Sequence, residues 1–433
     1  MRILWITHDL FEVFLPYVKG QPTKGGSWIA PLFYSILRQP DVTLAAVTPV
    51  IGGEEQKKEI DGVTYYSIGI RKNENMSPMS SDLAYRYISI INDFQPDIIH
   101  IHGTEKNFAL LRKFVDGRIP IVCSIQGIVS CCINGLNCSV VNTGIKKQRS
   151  VKNRIGRGGV SSMLKIWKKY SGIEREIYRI NRYFIGRTAW DKAQLASINA
   201  GAYYFHGEEL LRPVFYEESW NLERCERYRI FVSSAEYPLK GFHTLLQAVA
   251  ILKREFPDVK IVAPLSSFSL ESSKARDLLF AEDYSNYLKS EIRRLKLESN
   301  IVLLGRLSAE EMAAEYRKAH LFVLPSFLEN SPNSLGESMM IGTPAVTSAV
   351  GGVTSIVRDN ESSLLFPPGD HALLAYQIAR IFTNDTLALR LSAHAREIAL
   401  KRHNVTETAR QYCRIYSEII RQHHESSAGT SRA

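Results

Sequence analysis

Leu324 to Pro344 reads LPSFLENSPNSLGESMMIGTP. His320–Leu324 before it forms a short apolar strand, which ends at Pro325, a residue with no N–H to give a ladder. A loop then carries Glu329. Ser331 is placed as a helix N-cap and Pro332 as the first helical residue, opening a helix over Pro332–Ile341. Such an N-terminus presents unpaired amides and the positive end of a dipole, which suits a phosphate. Glu337 falls on the second turn, eight residues after Glu329. A carboxylate there can accept hydrogen bonds from vicinal hydroxyls, as one does from a ribose. In an arbitrary strand, loop and helix, the same two residues read as a loop acid and a solvated helix acid.

Outward from this stretch the chain alternates strands and helices. Upstream, Arg229–Ser233, Val259–Ala263 and Ile301–Leu304 read as strands, and Phe242–Arg254 and Tyr284–Leu297 as helices. Ser308-x-x-Glu311 is a capping box that opens a helix to about Lys318. Downstream, Ala345–Ser348 is a strand. The first half repeats the pattern, with strands at Ile3–Thr7, Val42–Val47, Ile98–His102 and Pro120–Ile125. Its helices are expected at Ser27–Arg38 and Leu83–Phe94. The reading is α/β, with two Rossmann-like, doubly wound parallel-sheet domains facing a cleft. The boundaries are 1–215 for an N-terminal domain and 216–405 for a C-terminal one. A helix at 406–422 should return toward the first domain, and 423–433 should be a disordered tail. Cys131 to Gly159 lacks periodicity and is expected to be a long mobile loop.

The chain has 433 residues, 54 Lys+Arg and 44 Asp+Glu, which fits two or three globular domains. No apolar run of about 18 residues exists, so no transmembrane helix is expected. Met1 to Ile6 is interrupted too early by Thr7, His8 and Asp9 for a signal-peptide core. Six cysteines in so long a chain read as reduced thiols of a cytoplasmic protein. Cys131, Cys132 and Cys138 lack zinc-site spacing.

The charge is localised. Lys146 to Arg187 holds 13 Lys+Arg against Glu174 and Glu176, hence 13 − 2 = +11 of the chain's net +10. Three readings stand: a cationic helix face in water, a contact with an anionic membrane surface, and nucleic acid. Trp167 and Tyr170 interleaved with lysines favour the membrane over the solvated face. No recognised motif accompanies a nucleic-acid role, so none is expected.

Three stretches, taken in order, carry a resemblance. They are FVSSAEYPLKGFHTLL over Phe231–Leu246, the pair Glu329 and Glu337 with Gly342-Thr343-Pro344, and AVTSAVGG over Ala345–Gly352. Together they resemble the E-x7-E glycosyltransferases of family four, retaining enzymes of the GT-B fold. The likeness is close over Arg229 to about Asp370, looser over Met1–Arg38 and Pro96–Val129, and poor between Cys131 and Arg227.

The resemblance implies a transferase that moves a sugar from a nucleoside-diphosphate sugar to an acceptor hydroxyl with retention. The acceptor class would be a lipid-linked or cell-surface glycan precursor. Glu337 would hold the ribose, and Glu329 the donor sugar near its C3 and C4 hydroxyls. Asn333, Ser334 and Leu335 would line the diphosphate, the last two through their amides. Lys240 would neutralise the departing diphosphate. Gly25 and Gly26 would form a glycine-rich loop toward the diphosphate and acceptor, and Arg306 would touch the base. Gln126 and His102 are weaker candidates for a sugar or acceptor contact. No cofactor and no metal are expected, since no Asp-x-Asp motif occurs. The protein would be cytoplasmic, with peripheral attachment to the inner face of a membrane.

Three departures from the family pattern stand out. Ser233, Ser234 and Ala235 occupy a stretch where the family usually has an arginine before the lysine, so either charge comes from elsewhere, Arg306 being one source, or binding is weaker. Gln126 stands where a histidine is frequent. Gly351-Gly352 is followed by Val-Thr-Ser rather than an acid. The missing arginine and histidine motivate a second reading, a nucleotide-sugar binding protein without transferase activity; a GT-B phosphorylase or epimerase is a further alternative. Gly186-Arg187-Thr188-x-Trp190-Asp191 reads as the start of a helix at the domain's cleft edge, either structural or in contact with the acceptor.

Overall fold

A computed structural model describes residues 1–18, 29–138, 144–145, 150–154, 158–265 and 282–430. Two compact units result. One comprises Met1–Val129, Lys169–Leu210 and His403–Ala433, the other Ser130–Lys168 and Leu211–Arg402. Residues 130–168, expected with the N-terminal domain, thus group with the C-terminal one.

The first unit is built on an eight-stranded sheet. Its strands are β1 (Arg2–Ile6), β2 (Thr43–Ile51), β3 (Gln56–Ile60), β4 (Val63–Ile70), β5 (Ile98–His102), β6 (Ile121–Ser124), β7 (Tyr183–Gly186) and β8 (Tyr203–His206). Their order is β3-β4-β2-β1-β5-β6-β7-β8, and only the β3–β4 pair is antiparallel. β5 is buried at every residue, which is why three of its five residues are β-branched isoleucines. The β3–β4 hairpin was not anticipated. Gln-Lys-Lys-Glu-Ile is a mostly exposed edge strand, blunted by charge rather than patterned by apolar alternation. A local signal exists all the same: Asp61-Gly62 turn with φ of 49° and 76°, as a two-residue hairpin loop demands.

Helices α1 (Ala30–Leu37) and α2 (Ser81–Phe94) flank this sheet, α2 capped by Ser80, whose side chain accepts from the Leu83 N–H. Among the described residues, α3 (Val129–Cys138) and a turn at Val151–Arg154 stand in the expected loop after Cys131, and α4 (Gly159–Ile180) starts at its end. Leu136 of α3 and Val160 of α4 are buried in the second unit's core, as is Ile145 between them in sequence, which is why these described residues group with that unit. α5 (Ala189–Ile198) opens on the capping box Thr188–Asp191, as expected of a helix start there.

The second unit is a six-stranded, wholly parallel sheet of β9 (Arg229–Phe231), β10 (Lys260–Pro264), β11 (Ile301–Leu304), β12 (Leu321–Leu324), β13 (Ala345–Ser348) and β14 (Leu364–Phe366). The order is β11-β10-β9-β12-β13-β14. The chain winds outward from β9 in one direction and from β12 in the other, so the topological switch lies between them. α6 (Phe242–Leu252), α7 (Asp283–Arg294), α8 (Ala309–Lys318), α9 (Asn333–Ile341), α10 (His371–Thr383) and α11 (Asp385–Arg402) follow. The Ser308–Glu311 capping box is present.

The last helix, α12, runs from Val405 to Thr430. Ala409, Tyr412, Ile415, Tyr416 and Ile419 bury it in the first unit's core. The Tyr416 hydroxyl bonds His100 Nδ1 at 2.6 Å. Residues 423–430, expected to be a disordered tail, continue this helix. His423 is tied down by a 2.6 Å bond between its Nε2 and the Gly117 carbonyl.

Candidate active site

The site of the second unit forms where β9, β12 and β13 end. Ligands of doubly wound sheets bind beyond the carboxyl ends of the strands at the switch point, because the loops there diverge and leave a crevice. Three loops interlock at this place. The Phe327 N–H donates to the Leu239 carbonyl at 2.8 Å, joining the β12 loop to the β9 loop. The Gly352 N–H donates to the Glu329 carbonyl at 3.0 Å, joining the β13 loop to both.

Two glycines make this closeness feasible. Gly241 has φ of 68°, and a Cβ on it would stand 1.8 Å from the Pro325 carbonyl oxygen. Gly351 has φ of 49°, and a Cβ there would meet the Glu329 carbonyl oxygen at 2.1 Å. The Lys-Gly and Gly-Gly pairs of the sequence are thus packing requirements of one loop cluster.

Within the cluster the Lys240 ammonium donates to Glu329 Oε1 at 2.6 Å. The Ser326 hydroxyl donates to the same oxygen at 2.7 Å. Burial alone would push the Lys240 amine down, but the Glu329 carboxylate outweighs it and holds the ammonium above its ordinary range. Lys240 is therefore a fixed cation at neutral pH, with side-chain exposure of 21%.

Helix α9 starts one residue later than expected. Pro332 is its N-cap, with φ −70° and ψ 116°, and Asn333 its first residue; Ser331 lies outside. The Leu335 N–H is already bonded to the Pro332 carbonyl at 3.0 Å, so it is committed within the helix rather than open to a diphosphate. An Arg402 Nη2 lies 3.4 Å from the Ser331 hydroxyl and brings a cation to this helix end.

Glu337 is buried, as a ribose-binding carboxylate would be. Arg212 Nη2 donates to its Oε1 at 2.8 Å. The Tyr316 hydroxyl donates to the Ser334 carbonyl at 2.8 Å and lies 3.4 Å from Glu337 Oε2. Burial pushes the Glu337 carboxyl above its ordinary value, and the Arg212 charge only partly offsets it. Sequence reasoning missed Arg212. It precedes Glu337 by 125 residues, and nothing around Leu211-Arg212-Pro213 marks it. Arg306, offered as a source of charge, is exposed and makes no ion pair among the described residues. The cations that the structure does bring to this loop cluster are Lys240, Arg212 and Arg402.

In the first unit, Gln126 is built into a buried ion pair. Its Nε2 donates to Glu209 Oε1 at 2.6 Å, and its Oε1 accepts from Arg187 Nη2 at 2.8 Å. Arg187 and Glu209 also pair directly, both nearly inaccessible. His102 is 2% exposed rather than at an open strand end. Its ring packs at a tilt against Trp5, with centroids 4.0 Å apart, and against His100 at 3.9 Å, on the shared face that their spacing implies. Burial, then the neighbouring His100, hold its imidazole well below the ordinary range, so it is neutral. Gly25 and Gly26 lie outside the described residues. On α4, Tyr170 is fully buried, and its hydroxyl donates to the Thr104 carbonyl at 3.0 Å. It does not stand at a membrane headgroup level, because the helical spacing that placed it beside Trp167 is the spacing of a core face. Lys165, Lys168 and Lys169 are exposed.

Comparison with known proteins agrees with this geometry. Residues 216–398 match the family described as glycosyl transferases group 1. A D-inositol 3-phosphate glycosyltransferase of Nocardioides is 32% identical over 188 residues, covering 41% of this chain and 39% of the relative. A phosphatidyl-myo-inositol mannosyltransferase of Mycobacterium leprae is 28% identical over 191 residues, 44% of this chain and 46% of the relative. The matches thus span less than half of these relatives' length. Among solved structures, a sucrose-phosphate synthase from Thermosynechococcus elongatus superposes with TM-score 0.70 at 16% identity, covering 97% of this chain and 99% of that one. HepE of Anabaena in complex with UDP-glucose gives TM-score 0.64 at 16% identity, covering 96% and 100%. The two sheets are those of the GT-B fold, and residues 216–398 are similar to the group 1 glycosyl transferases.

Proposed function

We propose that this protein is a glycosyltransferase that moves a sugar from a nucleoside-diphosphate sugar to an acceptor hydroxyl with retention of configuration. The observation that carries the reading is the Lys240–Glu329 pair at the switch point, with buried Glu337 on the helix that follows. Glu337 accepts from the ribose hydroxyls, and Glu329 from hydroxyls of the donor sugar. Lys240, Arg212 and the start of α9 supply positive potential to the diphosphate. As the bond from the anomeric carbon to the diphosphate oxygen breaks, the acceptor oxygen attacks from the same face. The leaving phosphate oxygen takes the acceptor proton, so that retention needs no protein nucleophile. Charge on the leaving group is met by these cations, without a divalent metal.

The names of the relatives support a donor and acceptor of this kind: one solved neighbour holds UDP-glucose, and one curated relative acts on phosphatidyl-myo-inositol. The exposed lysines of α4 support a cytoplasmic protein attached peripherally to an anionic membrane, with a lipid-linked acceptor. Among the described residues, no helix is long and apolar enough to cross a membrane. The test is incubation with a panel of nucleotide sugars and glycolipid acceptors, with NMR of the product. Release of nucleoside diphosphate that depends on acceptor, with the anomeric configuration kept, supports the reading. Binding of a nucleotide sugar without release, acceptor present, makes the chain a binding protein instead.

A further inference from the structure

The second unit contains a cavity of about 360 Å³ that none of the donor residues line. Its size falls in the lower part of the small-ligand range, ~300–1,000 Å³. One wall is the first part of α4, with Ser162, Met163, Ile166 and Trp167; the other is the turn Glu236–Pro238. That turn leads directly into Lys240. The Lys240 ammonium lies 5.9 Å from the centroid of the Tyr237 ring, so Tyr237 stands between the cavity and the Lys240–Glu329 pair.

The chemistry of the walls narrows the occupant. Trp167 and Tyr237 offer flat apolar faces, and carboxylates stand among them. Two of these anchor backbone of the wall. Glu282 accepts from Lys152 Nζ and from the Gly159 N–H, each at 2.7 Å. Asp283 accepts from the Val160 N–H at 3.1 Å and the Tyr284 N–H at 2.8 Å. These bonds fasten the start of α4 to the unit and give the cavity its shape. Glu236 is exposed at the rim. A phosphate or other anion meets three acids and is disfavoured. An acyl chain gains the aromatic surface but must desolvate carboxylates. A sugar ring satisfies both, with C–H faces on the aromatic rings and hydroxyls donating to carboxylate oxygens.

The geometry points to a carbohydrate subsite that receives a pyranose of the acceptor, built by the segment 158–167 on the donor-binding unit itself. This rests on the transferase reading for the word acceptor, and on the cavity alone for the carbohydrate. Trp167 and Glu236 are the residues that set its specificity.

Two measurements on the full chain separate the two claims. The first is saturation-transfer NMR with a panel of methyl pyranosides, with no donor present. The wild type should bind at least one of them, and Trp167→Ala should weaken that binding at least tenfold. Because Trp167 also packs against the core, Ser162→Trp serves as a second variant that fills the cavity without removing a wall. It should abolish pyranoside binding with an unchanged melting temperature. Glu236→Gln should weaken it several-fold. The second is calorimetric titration of the nucleotide sugar, which none of the three variants should alter. No pyranoside binding by the wild type, or binding that survives both Trp167→Ala and Ser162→Trp, overturns the subsite. Pyranoside binding lost in the variants of a chain that transfers nothing upholds the subsite and removes the transferase reading.

Discussion

Arg212 and Glu337 form an ion pair of 2.8 Å across 125 residues of sequence, with the carboxylate nearly inaccessible and the guanidinium a quarter exposed. The consequence is that the ribose-binding candidate is neutralised before any donor arrives. Burial of an unpaired carboxylate is costly, and removing one partner of a buried pair is typically worth several kcal/mol, less where the partner reaches water. Glu337→Ala should weaken nucleotide-sugar binding at least about tenfold, as charged hydrogen bonds to hydroxyls contribute ~1.5–3 kcal/mol each. The fold should survive, since Arg212 can turn to solvent. Arg212→Ala should weaken it too, because an unpaired Glu337 takes up a proton more readily. Donor affinity should therefore fall with acid at a higher pH in Arg212→Ala than in the wild type. Calorimetry at several pH values decides this, and unchanged affinity in Glu337→Ala removes the ribose assignment.

Lys240 should act at the departure of the diphosphate. An interaction realised mainly in the transition state appears in kcat rather than in substrate affinity. Removing one such electrostatic contact costs on the order of 10²–10³ in rate. Lys240→Ala should lose that much in kcat, while Lys240→Arg should recover part of it. Treatment with EDTA should leave turnover largely intact. Loss of activity in EDTA with recovery on adding magnesium would show that a metal, not Lys240 alone, carries the charge.

His100 and His102 are buried side by side in the first unit. Burial pushes the His100 imidazole down to about 3, from an ordinary 6.5, and holds His102 well below its range. The folded state thus binds fewer protons than the unfolded chain. Stability from these groups is fully present above pH 6.5 and is lost as pH falls from there toward the folded values. Each such histidine adds a slope of up to about 1.4 kcal/mol per pH unit in this window. Urea unfolding between pH 7 and 4 should show the decline, and His102→Phe, which keeps a ring on Trp5, should reduce the slope by about half. An identical slope in the variant rules out this origin.

The sequence made the parallel strands visible because Ile98–Ile101 and Leu321–Leu324 are buried on both faces, and apolar residues fill them apart from His100, whose ring is hydrogen-bonded. It also showed Glu329 and Glu337, since both sit on a strand–loop–helix whose chemistry is local. Arg212 stayed hidden because its partner is remote and no periodicity marks a residue that folds back to a site. The β3 strand stayed hidden because an edge strand carries charge where a central one carries apolar residues. Tyr170 misled for a different reason: a stripe of aromatic and basic residues at helical spacing describes a membrane face and a core-packed helix equally well, and only burial separates them.

Gly241 and Gly351 should be irreplaceable. Both hold positive φ, which strains any residue with a Cβ by roughly 1–2 kcal/mol. The larger effect is steric, since the Cβ of each would press on a carbonyl oxygen of the Glu329 loop, at 1.8 and 2.1 Å. Gly241→Ala must displace the β9 loop from Pro325 and carry Lys240 away from Glu329. The expected result is a lower melting temperature together with loss of donor binding. Gly62→Ala tests the same backbone conformation in open space, where φ is 76° and nothing lies within 4 Å of the added Cβ. It should cost stability only modestly and leave donor affinity alone. Equal effects of Gly241→Ala and Gly62→Ala would show that strain, not the interlocking of loops, governs the position.

The cations of α4 make the last prediction. Tyr170 is in the core and Trp167 lines a cavity, so no aromatic belt supports membrane contact. What remains is charge. Lys165, Lys168 and Lys169 are exposed within a segment that carries +11 by sequence. Near anionic lipid each cation contributes roughly 1 kcal/mol, and salt should screen it within a Debye length of about 8–10 Å. Without aromatic insertion, binding to anionic vesicles should be purely electrostatic: strong at low salt, absent at high salt and absent for neutral vesicles. The triple variant Lys165→Glu, Lys168→Glu, Lys169→Glu should abolish it while donor affinity stays unchanged. Sedimentation with vesicles of the two compositions reads this out. Binding that persists at high salt would mean that apolar groups enter the bilayer after all. Equal recovery in the supernatant with both vesicle types at low salt would make the segment an ordinary solvated face, and the acceptor a soluble one.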